Sequence, residues 1–243
     1  MTPAAAGAEP TAWQRARGYA VHAYTASGVG FGFAAAAELC SAEPSPQRFF
    51  LLNVAAVLVD ATDGPLARAW NVKQWAPTID GRAIDDIVDF LTFTFLPLLL
   101  VWRMGWLPEP RLLWIVPALI ASLFGFANVA AKDEGAGFFL GFPSYWNVVA
   151  FYAGIVHHFA GPWPNAALLL FLALLTVLPV RFIYPNLAPR PWKVPLLAGA
   201  AVWLGMMIWM LVDFPAPPGW LVWLSLVYPA LYTALSVHLS RRR

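Results

Sequence analysis

Asp60-Ala61-Thr62-Asp63-Gly64-Pro65-Leu66-Ala67-Arg68, followed after a polar connection by Gly81-Arg82-Ala83-Ile84-Asp85-Asp86-Ile87-Val88-Asp89, is the stretch around which the chain is organised. It sets five of the 13 acidic residues inside segments otherwise apolar enough to enter a bilayer. A carboxylate at the middle of a membrane helix is disfavoured by about 2.5 to 3.5 kcal/mol on insertion scales. A cluster of them therefore implies cations, water or both.

The rest of the chain supports a membrane setting. Of 243 residues, 60% are hydrophobic and 12% charged, with a mean hydropathy of +0.63. A soluble domain carries about 25% charged residues, so the composition is that of an integral membrane protein. The net charge of +2 is too small to point to nucleic acid. Thirteen Trp and seven Tyr suit interfacial belts. Cys40, the single cysteine, excludes an internal disulfide and reads as a small apolar helix residue.

Residues 1–18 hold Ala, Pro and charges but no apolar core, so no cleavable signal is expected; they read as a cytoplasmic N-terminal segment. Residues 19–240 read as a single transmembrane catalytic domain. A span needs about 20 apolar residues. On that ruler eight segments fall near 19–40, 48–69, 83–103, 111–131, 145–160, 166–184, 194–213 and 219–238. The expected fold is all-α and polytopic. Twelve of the 15 basic residues then lie on one side, and only Arg48, Arg103 and Arg111 lie opposite. The positive-inside rule places both termini, and with them the acidic cluster, at the cytoplasmic face.

Residues three or four apart share a helix face. Asp60 therefore projects with Asp63 and Gly64, and Asp85 projects with Asp89, although Asp86 could replace Asp85 on spacing alone. Pro65 would kink the helix or end its regular hydrogen bonding. Two such pairs on antiparallel helices can converge on one point, where mutual repulsion demands positive charge. Oxygen-only ligation selects hard cations such as Mg²⁺, Mn²⁺ or Ca²⁺, and two such ions would suit phosphoryl transfer. Arg68 could hold a phosphate bidentately.

The order Asp60-x2-Asp63-Gly64-x2-Ala67-Arg68, then Gly81-x3-Asp85-x3-Asp89, resembles the signature of the CDP-alcohol phosphotransferase family. The interval Ala69 to Asp80 is longer than the family's usual one and resembles the bacterial phosphatidylcholine synthase branch. Val21-His22-Ala23-Tyr24-Thr25-Ala26-Ser27-Gly28 and Phe142-Pro143-Ser144-Tyr145-Trp146-Asn147 carry the same likeness. The resemblance implies two divalent ions, Mn²⁺ or Mg²⁺, held by Asp60, Asp63, Asp85 and Asp89, with Asp89 also the general base. Gly64, Ala67, Arg68 and Gly81, together with Asp60, would line the nucleotide and diphosphate site. It further implies a CDP-diacylglycerol donor, a choline acceptor, CMP as the leaving product, a bacterial inner-membrane location and a homodimer. Within the motif Asp85 rather than Asp86 is the ligand, leaving Asp86 as a solvated acid near a helix start.

A quaternary ammonium cannot donate a hydrogen bond, so aromatic faces and nearby negative charge must recognise it. Tyr145, Trp146, Tyr152 and Tyr184 lie near the expected cytoplasmic side, and Tyr145 and Trp146 stand out on a polar turn. His22, with Thr25 one turn away, either touches the donor or is hydrogen-bonded between helices. His157 and His158 read as interfacial, and Lys132-Asp133-Glu134-Gly135 as a solvated loop. Arg181, Arg190 and Lys193 either gather anionic head groups or enforce topology. Serine, inositol or glycerol phosphate are the rival acceptors. A different class, a divalent-cation transporter, would need polar groups at several depths, whereas these acids crowd at one end.

Overall fold

A computed structural model describes residues 9–128, 132–133, 137–185, 188–189 and 191–240. Helix α1 (Ala12–Leu39) starts well before its apolar run, because Thr11 and Gln14 close a capping box around its first turn. Helix α2 (Pro46–Ala69) is capped by Ser45 and opens on Pro46. It continues through Pro65 to Ala69, so the proline neither ends nor replaces the helix.

The long connection is built rather than loose. Asn71 takes a left-handed turn (φ 47°) into the short α3 (Val72–Trp75). Val72 and Ala76 then bury against Val21 of α1. Asp80 next caps α4 (Gly81–Asp89) by accepting from the Arg82 and Ala83 amides at 3.0 and 3.2 Å. A π-helical segment, Phe90–Phe95, joins α4 to α5 (Leu96–Arg103), making one continuous rod.

Helices α6 (Leu112–Ala127), α7 (Trp146–Ala160), α8 (Trp163–Val177), α9 (Lys193–Met210) and α10 (Gly219–Ser240) complete the bundle. Counting α4, the π segment and α5 as one rod, the long helices match the eight segments expected from the sequence. Their ends differ. Leu178 is extended (ψ 143°) before Pro179, so α8 stops at Val177 and the tail of the sixth expected segment becomes a strand.

Strands β1 (Lys132–Asp133), β2 (Phe138–Leu140) and β3 (Arg181–Ile183) form an antiparallel sheet in that order, with Phe139 opposite Phe182. Lys132 and Asp133, expected in a solvated loop, are therefore paired backbone. Glu134, Gly135, Arg190 and Arg241 to Arg243 lie outside the described residues.

Pro46–Ala69, Lys193–Met210 and Gly219–Ser240 are each long and apolar enough to cross a bilayer, and Leu112–Ala127 and Trp163–Val177 are shorter apolar helices. Large apolar side chains point outward around the bundle, including Phe33 (77% exposed), Trp223 (75%) and Phe124 (66%). A water-facing surface would not carry so much contiguous apolar area, so these faces belong against lipid.

A cluster of aromatic rings gathers at one end. Phe50 meets Phe151 and Phe214 edge-on at 5.3 and 5.5 Å, and Trp106 closes on Phe214 at 6.0 Å. Phe50 precedes Asp60 along α2 by about 15 Å of helix rise, which leaves the acidic residues at the opposite end.

Candidate active site

Helix α1 is the bed on which the acidic helices lie. It packs along α2 and against α4, and two glycines set the spacing. A Cβ on Gly28 would sit 2.7 Å from Val88 Cγ1, and one on Gly81 would sit 2.8 Å from His22 Cε1. Only glycine permits α4 to approach α1 this closely.

The approach brings Asp85 and Asp89 of α4 to Asp60 of α2. Each offers a carboxylate oxygen, and the three oxygens lie within 4.8 Å of one another, all partly buried. Carboxylates at that spacing repel unless a cation neutralises them. An all-oxygen set suits a hard divalent ion, so this group could hold a metal ion.

The other motif residues arrange themselves around that group. Asp63 stands outside it: its side chain is buried, with Thr25, the Gly64 backbone and Arg68 close by. The Arg68 guanidinium folds over Gly64, where a Cβ would lie 3.4 Å from Nη1. Ala67 packs with Leu66 and Trp70 on the Val21, Val72, Ala76 cluster. Asp86 faces Arg82 in a pair of 3.7 Å, and the gathered three include Asp85 rather than Asp86.

His22 is buried between α1 and the connection, its Nε2 3.4 Å from the Ala76 carbonyl and its ring against Gly81. Trp146 lies apart from the acids in the core, fully buried, with its indole N–H donating to Ser122 Oγ at 2.6 Å. Tyr145 differs from its neighbour: its phenol is close enough to Asp60 and Asp89 to feel their charge.

A buried polar relay, not foreseen from sequence, supports the site. In the π segment the Leu96 amide bonds back to Leu91. The Thr92 carbonyl would need the amide of residue 97 in turn, and Pro97 has none. Asn53 fills the vacancy, donating from Nδ2 to Thr92 O at 2.6 Å, while Asn147 Nδ2 donates to Asn53 Oδ1 at 3.2 Å. The relay ties the start of α7 to the turn that follows Asp89. Its one visible signal was a pair of asparagines at costly positions in apolar helices.

Fold and site together define a polytopic helical membrane protein with an acidic centre, built for oxygen ligation, at one end of its bundle. The chain is 38% identical over 203 residues to the phosphatidylcholine synthase of Pseudomonas aeruginosa, covering 83% of each chain. It is 33% identical over 239 residues to that of Bradyrhizobium diazoefficiens (96% of this chain, 85% of the relative). To that of Rhizobium meliloti it is 34% identical over 224 residues (89% and 87%). The chain belongs to the bacterial phosphatidylcholine synthases, an enzyme family. No family model matches it, and no solved structure does.

Proposed function

We propose that the protein transfers the phosphatidyl group of CDP-diacylglycerol to choline and releases CMP. The observation that carries this reading is the meeting of Asp60, Asp85 and Asp89 from two successive helices within 4.8 Å, in a chain whose relatives are named phosphatidylcholine synthases.

Asp60, Asp85 and Asp89, with Asp63 behind them, would hold two divalent ions, Mn²⁺ or Mg²⁺. Such ions, when bound, neutralise the diphosphate and stabilise charge on the departing phosphate. Arg68 binds a diphosphate oxygen at the mouth of the site. Gly64, Ala67 and Gly81 would lie along the nucleotide side of the site, as the resemblance implies. Asp89 takes the proton of the choline hydroxyl as its oxygen bonds to the β-phosphorus; the bond from that phosphorus to the bridging oxygen breaks and CMP leaves.

The distribution of basic residues supports a cytoplasmic site and cytoplasmic termini in a bacterial membrane. Arg48 and Arg111, two of the three basic residues expected outside, are paired with Glu38 and Glu109 at 2.9 and 2.7 Å. The aromatic plug around Phe50 and Phe214 speaks against a cation pathway through the bundle. The resemblance also implies a homodimer, which cross-linking in native membranes tests.

The test is purified protein in detergent with CDP-diacylglycerol, choline and Mn²⁺. Choline-dependent CMP with matching phosphatidylcholine is the expected result. CMP that never appears, or Mn²⁺ flux into sealed vesicles instead, contradicts the assignment.

A further inference from the structure

The opening turns of α1 are committed to the connection between α2 and α4 rather than to the acids themselves. Arg17, Gly18, Val21 and His22 share a face by their spacing of three and four. The Arg17 guanidinium lies over the Trp70 ring at 4.3 Å and 5.6 Å from the Trp75 ring, so one cation bridges the end of α2 and the end of α3. Among the described residues Arg17 has no carboxylate within ion-pair reach. Tyr19, on the flank of the same face, shares a hydrogen bond of 2.8 Å with Thr78.

From there the contacts run on to the acidic centre. A Cβ on Gly18 would lie 2.8 Å from Ala76 Cβ, so the connection lies flat against α1. His22 comes next: its Nε2 is 3.4 Å from the Ala76 carbonyl, and its ring fills the space beside Gly81, the first residue of α4. Asp85 stands one turn beyond Gly81, and its carboxylate is one of the gathered three. Where the first turn of α4 sits on α1 therefore decides where Asp85 meets Asp60. The left-handed turn at Asn71 (φ 47°) sets the direction in which the chain leaves α2, but not where it lands at Gly81.

Resting on the metal-dependent transfer reading above, we propose that Arg17 is a positioning residue for the metal ligands: with Tyr19 and His22 it straps the connection to α1 and so holds Asp85 at the spacing a divalent ion needs. Three carboxylates within 4.8 Å push apart when no cation lies between them. The strap opposes that push from the start of α4. A guanidinium stacked on indole faces suits the task, because its attraction needs no further carboxylate that would compete for the ion. Coupling of this kind is reciprocal: a strap that favours the bound ion is itself favoured by the ion. Arg17 thus acts through the ion and not through contact with choline.

The experiment titrates Mn²⁺ into metal-stripped wild type, Arg17→Met and Arg17→Lys by electron paramagnetic resonance, and follows amide hydrogen exchange of the wild type with and without Mn²⁺. Arg17→Met keeps an apolar stem without the charge and must weaken Mn²⁺ binding about 5- to 30-fold, whereas Arg17→Lys, which keeps a cation beside the indoles, must stay within about threefold of wild type. Choline KM at saturating Mn²⁺ must change by less than about twofold. In the wild type Mn²⁺ must slow exchange from Val72 to Thr78 and leave α9 and α10 unchanged, a measurement that needs no variant to fold. Equal Mn²⁺ affinity in wild type and Arg17→Met, even with a lower melting temperature, or exchange from Val72 to Thr78 that ignores Mn²⁺, would overturn the strap. Wild type that binds Mn²⁺ but makes no choline-dependent CMP would overturn the transfer reading and leave the strap to be decided by the binding data. Wild type that binds no Mn²⁺ would overturn both.

Discussion

At Asp89 the exchange of one oxygen for nitrogen separates proton transfer from binding. Asp89→Asn keeps shape and one acceptor oxygen but removes the base. Turnover should fall about 10²- to 10⁴-fold, while CDP-diacylglycerol binding, read by calorimetry, changes little; a variant turning over normally would remove Asp89 from its role. Gly81→Ala is a steric counterpart, because its Cβ would meet His22 at 2.8 Å. Overpacking of this kind costs about 1 to 3 kcal/mol, and a thermal unfolding scan of Gly81→Ala, alone and combined with His22→Ala, should show the loss and its partial recovery. The acids were legible in sequence because carboxylates in apolar helices are too costly to be incidental. Trp146 was not: its burial depends on Ser122 of α6, a partner that local pattern does not reveal.

Among the elements, the π segment between α4 and α5 has the clearest chemical cause. Pro97 cannot serve the Thr92 carbonyl, and Asn53 and Asn147 do so in relay. Asn53→Ala should leave that carbonyl unpaired in a buried site, costing about 1 to 3 kcal/mol of stability. It should also lower kcat by loosening the turn after Asp89; unchanged melting and unchanged kcat would show the relay to be incidental. The sequence reading runs one helix over 83–103 straight through Pro97, and the widening is not legible there because the compensating asparagine sits on another helix. The strands were missed for a related reason. Each is two or three residues long, too short for a period, and exists only because α6 and α8 end side by side.

For the whole molecule, the long helices and their order followed from apolar length, while charge supplies only an expected sidedness. Cys40 offers a direct reading of that sidedness, being exposed just past α1 at the end away from the aspartates. A membrane-impermeant maleimide should label Cys40 in right-side-out cells and fail to do so in inverted vesicles; the reverse pattern would place the acidic centre outside. The central claim, that Asp60, Asp85 and Asp89 hold divalent cations for the transfer, is tested most directly by titrating Mn²⁺ into metal-stripped protein and following the free-ion signal by electron paramagnetic resonance. Saturable binding that disappears in a folded Asp60→Asn, Asp85→Asn double variant is the expected result. Equal binding by wild type and variant, or none by wild type, would contradict it.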